Sequence, residues 1–246
     1  MRRQRLDRSL VAQGLAPSRA NAHELIAQSR VLVNGAVADK AARLVAPSDN
    51  LAVAGPPARF VGRGGEKLDT ALDRFRIDVR GLRVLDCGAS TGGFTDCLLQ
   101  HGAAHVVALD VGHGQLHPKL RADPRVTVLE RTNMRTATPE TIDGPVDAAV
   151  ADVSVISLTV VIAALVGVCK PGASMVLLVK PQFEAGRAEV SRGRGVISDP
   201  VIHERVRAEV GGALADVGCT VHGWIESPLR GGEGNVEYFV HATVRQ

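Results

Sequence analysis

The stretch Arg83-Val84-Leu85-Asp86-Cys87-Gly88-Ala89-Ser90-Thr91-Gly92-Gly93-Phe94-Thr95-Asp96 carries a short apolar run, an acidic residue, a glycine-rich turn and the beginning of a helix in direct succession. Glycines at such a turn permit positive φ and let a ligand approach the backbone closely. The spacing differs from the G-x-G-x-x-G of nicotinamide enzymes, and no Gly-Lys-Ser/Thr of a phosphate-binding loop follows. The stretch therefore predicts a strand–turn–helix unit that either binds a ligand at its turn or is an ordinary βα connection.

From this stretch onward, apolar runs alternate with segments that are long enough for helices. The runs are 84–85, 106–109, 126–129, 148–151 and 175–179. This alternation predicts a parallel sheet with helices on both faces. Two later runs, 220–225 and 238–244, would complete a sheet of seven strands. The predicted fold class is therefore α/β, with a Rossmann-like doubly wound sheet.

The first part of the chain has a different pattern. An amphipathic stretch predicts a short helix before Gly14, Ser18 is a suitable N-cap for a second helix, and Asn34-Gly35 predicts a tight hairpin. Gly55-Pro56-Pro57 then interrupts the pattern. We therefore predict a small α+β domain over 1–55, a linker over 56–64 and the α/β domain over 65–246.

Charge is unevenly distributed along the chain. Residues 1–66 contain ten lysines and arginines against five acidic residues, whereas the whole chain has a formal net charge of +3. A basic N-terminal part indicates a polyanionic partner, and a merely solvated basic surface is the alternative. The four cysteines are scattered without a C-x-x-C pair, which argues against a zinc site or a disulfide framework and fits a reducing cytosol.

One segment, 153–169, is uncharged and just reaches the shortest length of a membrane span. Asp152 and Lys170 bound it closely, and it contains two serines and a threonine. A strand end followed by a buried helix explains this segment better than a membrane span does. No signal peptide is predicted, because the basic start is followed by polar, helix-like sequence rather than an apolar core.

Polar side chains follow nearly every predicted strand of the α/β domain. Asp86 ends the first strand, Asp110 and Asn133 follow the second and third, and Asp152 and Lys180 follow the fourth and fifth. Ligands of open α/β sheets bind at the carboxyl ends of the strands, so these residues are candidates for one shared site. Asp110 lies about twenty residues after the glycine turn, where an acidic residue can bind ribose hydroxyls.

Two lysines are also candidates. Lys180 ends an otherwise apolar strand, and Lys67 lies in a helix that precedes the sheet. A lysine that is partly buried at a strand end needs carboxylate partners. Asp152 and Glu237 can supply them, either within a catalytic network or as a structural ion pair.

Four motifs and the N-terminal module resemble one enzyme family. The motifs are Arg63-Gly64-Gly65-x-Lys67-Leu68, Asp86-x-Gly88-x-Ser90-Thr91-Gly92-Gly93-Phe94-Thr95, Lys180-Pro181-Gln182-Phe183-Glu184 and Gly234-Asn235-x-Glu237-Tyr238. Residues 1–55 resemble the S4 RNA-binding domain through Arg5-Leu6-Asp7, Gly14-Leu15, Ser18-Arg19 and Val33-Asn34-Gly35. From end to end the sequence is similar to the TlyA family of ribosomal RNA 2′-O-methyltransferases, also described as haemolysin A-like.

The resemblance implies a set of site residues and a cofactor. It implies an S4 domain followed by an RrmJ/FtsJ-like methyltransferase domain that uses S-adenosylmethionine. The implied catalytic tetrad is Lys67, Asp152, Lys180 and Glu237. The implied cofactor-binding residues are Asp86, Gly88, Ser90, Thr91, Gly92, Gly93, Phe94, Thr95, Asp110 and Asn133. The RNA-binding residues are predicted to be Arg5, Arg8, Arg19, Arg30, Arg63, Arg192 and Arg194.

The resemblance also implies a mechanism in which a ribose 2′-hydroxyl attacks a sulfonium methyl group. Lys180 either takes the hydroxyl proton, with Asp152 and Glu237 fixing its orientation, or stays charged and steers the oxygen. No metal is expected. The segment 182–199, which carries Arg187, Arg192 and Arg194 among glycines, is predicted to be a mobile loop that grips phosphates beside a flipped-out nucleotide.

The implied partners are ribosomal RNA and ribosomal subunits in the cytoplasm, without a membrane. Cytidine in the 16S or 23S RNA is the expected target. Three other functions remain open at this point: a non-catalytic ribosome-assembly factor, a small-molecule methyltransferase and a membrane-active haemolysin. The tetrad and the glycine turn argue against the first, the RNA-binding-like N-terminus argues against the second, and only the segment 153–169 supports the third.

Overall fold

A computed structural model describes residues 3–16, 18–55, 58–231 and 234–245, apart from the side chains of Ala20, Glu24 and Arg187. The chain divides into two compact units, Met1–Ala58 and Arg59–Gln246. Pro56 and Pro57, the first two residues of the predicted linker, lie outside the described residues.

The first unit combines two helices with short strands. In chain order these are β1 (Gln4–Arg5), α1 (Leu6–Ala12), α2 (Arg19–Ala27), β2 (Val31–Val33), β3 (Ala36–Val37), β4 (Leu44–Val45) and β5 (Leu51–Val53). β2 pairs antiparallel with β3 and β5, and β1 pairs antiparallel with β4. Asn34 and Gly35 have φ of 53° and 81°, as a type I′ hairpin turn requires. Ser18 accepts a hydrogen bond from the Asn21 N–H and so caps α2, as predicted.

The second unit is built on one sheet. Its elements are α3 (Arg63–Phe75), β6 (Arg83–Cys87), α4 (Gly93–Gln100), β7 (His105–Leu109), α5 (Pro118–Arg121), β8 (Val126–Leu129), β9 (Val146–Ala151), α6 (Thr159–Gly167), β10 (Cys169–Val179), α7 (Pro181–Glu184), α8 (Arg187–Arg192), α9 (Pro200–Asp216), β11 (Cys219–Glu226) and β12 (Tyr238–Val244). The strand order is β11-β12-β10-β9-β6-β7-β8. The seven-stranded α/β sheet predicted from the sequence is therefore confirmed.

Strand direction changes at one side of this sheet. The pairs formed among β8, β7, β6, β9 and β10 are parallel, whereas β12 runs antiparallel to both β10 and β11. The connection 227–237 between β11 and β12 has only eleven residues. A parallel return would need a crossover of a dozen or more residues, usually with a helix, so β12 runs antiparallel to β11. The predicted parallel sheet is thus a mixed one.

Each face of the sheet buries apolar side chains against helices. One face packs against α3 and α4, with Leu68, Leu72 and Leu98 fully buried. The other face packs against α6 and α9, with Ile162 and Val210 fully buried. Between the two helical layers, β6 is the middle one of the five parallel strands, and the carboxyl ends of these strands open along one edge of the sheet.

Two predicted boundaries differ from the structure. α3 begins at Arg63, so the last two residues of the predicted linker lie in this helix. The uncharged segment 153–169 contains the nine-residue helix α6, which packs its Val161, Ile162 and Leu165 into the core. Within the described part of the chain, no helix has the length and apolar character that crossing a membrane requires.

Candidate active site

Two cavities open at the carboxyl ends of the strands. We call the first the turn cavity, because it borders the glycine turn after β6; its volume is about 470 Å³. We call the second the lysine cavity, because Lys180 lines it; its volume is about 430 Å³. Ser154 lines both cavities, so they meet beside this residue. Both volumes lie in the range of small-molecule sites.

The turn cavity contains four of the predicted cofactor-binding residues, Gly88, Ser90, Asp110 and Asn133. The Asp110 carboxylate accepts hydrogen bonds from the Ser90 N–H at 2.8 Å and the Gly112 N–H at 2.6 Å. These bonds hold the carboxylate beside the turn. Gly88 has φ of +86°, and a Cβ there would lie 2.5 Å from the Asp152 carbonyl oxygen. Only glycine therefore lets β6 and β9 end so close together.

The other predicted cofactor-binding residues do not line the turn cavity. Gly92, Gly93 and Phe94 are buried below the turn, and the Phe94 ring packs 6.1 Å from the Phe239 ring. A Cβ at Gly92 would lie 2.2 Å from the Leu120 side chain, and the backbone there has a positive φ. Both the close packing and the backbone conformation therefore require glycine at this position. Thr91 is half-buried outside the cavity. These residues shape the turn from below.

Asp86 and Thr95 form a buried pair beneath the turn. Both are 0% exposed, and the Thr95 hydroxyl donates a 2.6 Å hydrogen bond to Asp86 Oδ2. Asp86 Oδ1 is buried and has no hydrogen-bond partner among the described residues. Burial raises the pKa of Asp86 to about 7, and the Thr95 hydroxyl bond opposes part of that rise. This carboxyl supports the turn and lies below any ligand in the cavity.

The predicted tetrad forms two ion pairs. Lys67 Nζ donates a 2.5 Å hydrogen bond to Glu237 Oε2, and both side chains are nearly buried. Lys180 Nζ contacts Asp152 Oδ1 and donates a 3.0 Å hydrogen bond to Ser154 Oγ. The structure thus corrects one expectation, because Glu237 pairs with Lys67 and does not orient Lys180 directly. Glu237 directly precedes β12, whose first residue, Tyr238, pairs with Val179 at the end of β10, and its carboxylate reaches Lys67 in α3.

Glu184 anchors the loop 153–158, which lines the turn cavity and, at Ser154, the lysine cavity as well. Its carboxylate accepts hydrogen bonds from the Leu158 N–H at 2.7 Å and from the Ser157 hydroxyl. Burial raises the pKa of this carboxyl, and the two hydrogen bonds oppose the rise. Since α7 follows Lys180 directly, this contact fixes residues 153–158 against the strand that carries the lysine.

The segment 182–199, which is predicted to be a mobile loop, contains secondary structure. It forms α7 and α8, followed by a turn at 193–197 that borders the lysine cavity. Asn235 is 2% exposed; it accepts a hydrogen bond from the Ile197 N–H and donates one to the Gly195 carbonyl, both at 2.9 Å. His203 Nε2 contacts the Ile197 carbonyl oxygen at 2.9 Å. These contacts hold the turn against α9 and against the segment that precedes β12 and contains Glu237.

The predicted RNA-binding arginines lie in both units. In the first unit, the guanidinium groups of Arg5 and Arg19 contact the fully buried Asp7. The Arg5 guanidinium is the main cause that holds the pKa of Asp7 far below its usual range. Arg8 is exposed, and Arg30 donates a hydrogen bond to the Ala54 carbonyl.

In the second unit, Arg63 is half-buried at the beginning of α3, and Arg192 and Arg194 are exposed beside the turn 193–197. The side chain of Arg187 lies outside the described residues. Four of the predicted arginines are therefore exposed to solvent, where a polyanion can reach them: Arg8, Arg19, Arg192 and Arg194.

One group of side chains in the described residues is close enough for metal ligands: Asp69, Cys97 and His101. Asp69 already contacts Arg59 and His101, at 2.6 and 2.7 Å. Burial raises the pKa of the Cys97 thiol, which opposes the thiolate form that binds metals. This group lies between α3 and α4, away from the residues that line either cavity.

Comparison with known proteins agrees with this geometry. The family model of FtsJ-like methyltransferases matches residues 60–244, and the model of the S4 domain matches residues 4–51. The chain belongs to the FtsJ-like methyltransferase family. It carries an S4 domain at its N-terminal end, as the sequence predicts.

Similar proteins match over nearly the whole chain. The 16S/23S rRNA (cytidine-2′-O)-methyltransferase TlyA of Mycobacterium tuberculosis is 51% identical over 97% of this chain and 89% of its own. Hemolysin A of Brachyspira hyodysenteriae is 40% identical over 96% of this chain and 98% of its own. The structure of a candidate hemolysin from Streptococcus thermophilus is 40% identical, covers 100% of this chain and 90% of its own, and superposes with a TM-score of 0.80.

Sequence reasoning assigned no role to Ser154, Gln182 or Phe183, which all line the lysine cavity. Ser154 lies two residues after Asp152, and Gln182 and Phe183 belong to the motif that begins at Lys180. Their positions in these motifs were visible in the sequence. Their shared cavity was not, because it depends on how β9, β10 and β12 are placed in the sheet.

Proposed function

We propose that this protein transfers a methyl group from S-adenosylmethionine to the 2′-hydroxyl of a cytidine in ribosomal RNA, in the cytoplasm. The observation that carries this proposal is the position of Lys180. This lysine lines one cavity, and its partners Asp152 and Ser154 line the other. A donor in the turn cavity and a ribose in the lysine cavity would meet at these side chains.

The residues of the turn cavity fit S-adenosylmethionine. The Asp110 carboxylate is held by two backbone N–H groups and is suited to the ribose hydroxyls. Leu109, Val111, Met134 and Ile156 give the cavity an apolar wall that suits an adenine ring. The Gly88–Ser90 turn brings backbone close to the ligand. When bound, this cofactor supplies a sulfonium methyl group that a nucleophile can displace.

In this proposal the two ion pairs, Lys180–Asp152 and Lys67–Glu237, act on the ribose hydroxyl. Its oxygen becomes a nucleophile only as its proton leaves, so a positioned group must take or share that proton. Lys180 is held by Asp152 and Ser154 at the boundary of the cavities, which fixes the direction of Nζ. Glu237, which is paired with Lys67, lines the same cavity and is suited to holding the nucleotide in line with the methyl group.

The first unit supplies the affinity for RNA in this proposal. Its match to the S4 domain and its basic surface support that role. The relative from Mycobacterium tuberculosis is named for both 16S and 23S rRNA, so both ribosomal subunits are candidate substrates.

Transfer of labelled methyl groups to separated 30S and 50S subunits tests the proposal. We expect the wild-type protein to label at least one subunit and Lys180→Ala to reduce the rate by about 100-fold or more, as loss of a general acid–base group does. Lys170→Ala is a matched control, because Lys170 lies at the other end of β10 and pairs with Asp147. No label in either subunit would contradict the proposed substrate. Unchanged labelling by Lys180→Ala would contradict the role of the lysine.

A further inference from the structure

Phe183 differs from every other aromatic side chain of this protein. The chain has five phenylalanines, one tyrosine and one tryptophan. Six of these rings belong to, or pack against, the hydrophobic clusters of the second unit. Phe183 does not; it lines the lysine cavity, with its ring centre 5.8 Å from Lys180 Nζ. An aromatic ring outside the core, beside the proposed reaction centre, offers a flat surface to a planar ligand.

Gln182 lies beside this ring on the same cavity wall. Its Oε1 is buried and has no hydrogen-bond partner among the described residues. A buried carbonyl oxygen without a donor is unfavourable, and a ligand that supplies an N–H would relieve that cost.

We infer that Gln182 and Phe183 form the base-binding part of the lysine cavity, and that Gln182 distinguishes cytosine from uracil. This inference rests on the proposed function, since it assigns residues to the base of the target nucleotide. The ring of Phe183 stacks on the extruded base, and the Gln182 carbonyl accepts a hydrogen bond from the exocyclic amino group of cytosine.

The chemistry of the two pyrimidines supports this assignment. Cytosine has an amino donor at N4, whereas uracil has a carbonyl acceptor at the corresponding O4. A base that is extruded from its stack is usually read in this way, by stacking and by hydrogen bonds to its Watson–Crick edge. The cavity also places the base next to Lys180, because Gln182 and Phe183 follow this lysine by two and three residues and line the same cavity. The ribose of the same nucleotide is then within reach of the tetrad.

The test compares subunits that carry the natural target with subunits in which uridine replaces the target cytidine. For the wild-type protein we expect methylation of the uridine site to be slower by about 10-fold to 100-fold, because uracil leaves the buried Gln182 carbonyl without a hydrogen-bond donor. Gln182→Ala should reduce this preference to less than about 3-fold. Gln182→Glu should keep it, because a carboxylate still accepts from N4 and repels O4. Gln100→Ala, an exposed glutamine on α4, is the matched control.

Phe183 is tested by a different measurement. Phe183→Ala should raise KM for the subunits by about 10-fold, as expected for loss of one stacking contact, and leave the preference for cytidine unchanged. Phe183→Tyr, which retains the ring, should restore KM. The affinity for S-adenosylmethionine should be the same in all variants, because the turn cavity is not altered, and this binding also shows that each variant is folded.

The two possible failures can be told apart. If the wild-type protein methylates neither subunit, the proposed function is wrong. If it methylates a cytidine and Gln182→Ala keeps the full preference, then Gln182 does not read the base. If Phe183→Ala keeps the wild-type KM, the stacking role is overturned.

Discussion

At the scale of single residues, Asp86 shows how this site combines a polar group with burial. The carboxyl lies below the glycine turn with one oxygen bonded to Thr95 and the other without a described partner. Desolvation is the main cause of its raised pKa, and the nearby carboxylates of Asp152 and Asp110 add to it. Asp86 is predicted from the sequence to bind the cofactor, whereas its buried position places it as a support beneath the glycine turn.

This burial gives a prediction for the dependence of stability on pH. In the unfolded chain Asp86 ionises near pH 4, whereas in the folded protein its pKa is about 7. Folding is thus progressively disfavoured by this group as pH rises from about 4 to about 7, and the cost persists above that range. Asp86→Asn removes the ionisation, so above pH 7 the variant should gain up to about 4 kcal/mol of unfolding free energy relative to wild type.

Urea unfolding of both proteins at pH 5 and pH 8, without cofactor, measures this difference. The gap between variant and wild type should widen from the lower to the higher pH. Parallel stability at the two pH values would show that Asp86 has the same protonation state in the folded and unfolded protein.

At the scale of elements, the turn 193–197 depends on a residue from another part of the chain. Asn235 uses both ends of its amide to bond the backbone of this turn, at Gly195 and Ile197. The turn carries the exposed Arg194 and borders the lysine cavity. A single buried amide therefore connects the turn that carries an exposed arginine to the segment that contains Glu237.

We predict that Asn235→Ala releases this turn. The substitution leaves the Gly195 carbonyl and the Ile197 N–H without their partner, which costs about 1–3 kcal/mol for each group that stays buried. The turn should then move, and KM for ribosomal subunits should rise about 10-fold with little change in kcat. The affinity for S-adenosylmethionine should stay the same. Steady-state kinetics with subunits measures the first effect, and calorimetric titration measures the second.

Asn133→Ala is the matched comparison, because Asn133 lines the turn cavity and lies outside the residues of the lysine cavity. This substitution should weaken the binding of S-adenosylmethionine and leave KM for ribosomal subunits unchanged. An Asn235→Ala variant with wild-type KM for subunits would show that the position of this turn does not matter for the substrate.

At the scale of the whole molecule, two separate functions are assigned to the two compact units. The first unit carries the S4 match and the basic surface, and the second carries both cavities. Substitutions in each unit should therefore affect different ligands.

Arg8→Glu should weaken subunit binding by about 10-fold and lower the salt dependence of binding by about one ion, because the exposed Arg8 is predicted to contact phosphate. Asp110→Ala should weaken S-adenosylmethionine binding and leave subunit affinity unchanged. Filter binding across a salt series and calorimetric titration measure the two affinities. If each variant lowered the affinities for RNA and for the cofactor equally, the two binding functions would not be divided between the units in this way.

The sequence alone determined the class of the fold and the kind of chemistry. Apolar runs that alternate with helical segments require a sheet covered on both faces, because only such a sheet buries both sides of each strand. The glycine turn, the polar residues at the strand ends and the motifs of the family were sufficient to nominate the cavity residues Gly88, Asp110, Lys180 and Asp152. These features are local, so they can be recognised from residues that are close together in the sequence.

The tertiary structure alone decided the pairing and the depth of these residues. The antiparallel return of β12 places Glu237 against Lys67, and no local pattern specifies this contact between residues 170 positions apart. Packing of α4 on the sheet buries Phe94 and Thr95 beneath the turn, although the motif presents them beside its glycines. Gln182 and Phe183 acquire a shared cavity only because β9, β10 and β12 lie side by side. Burial and long-range pairing arise from the complete fold, and they assign each predicted residue its role.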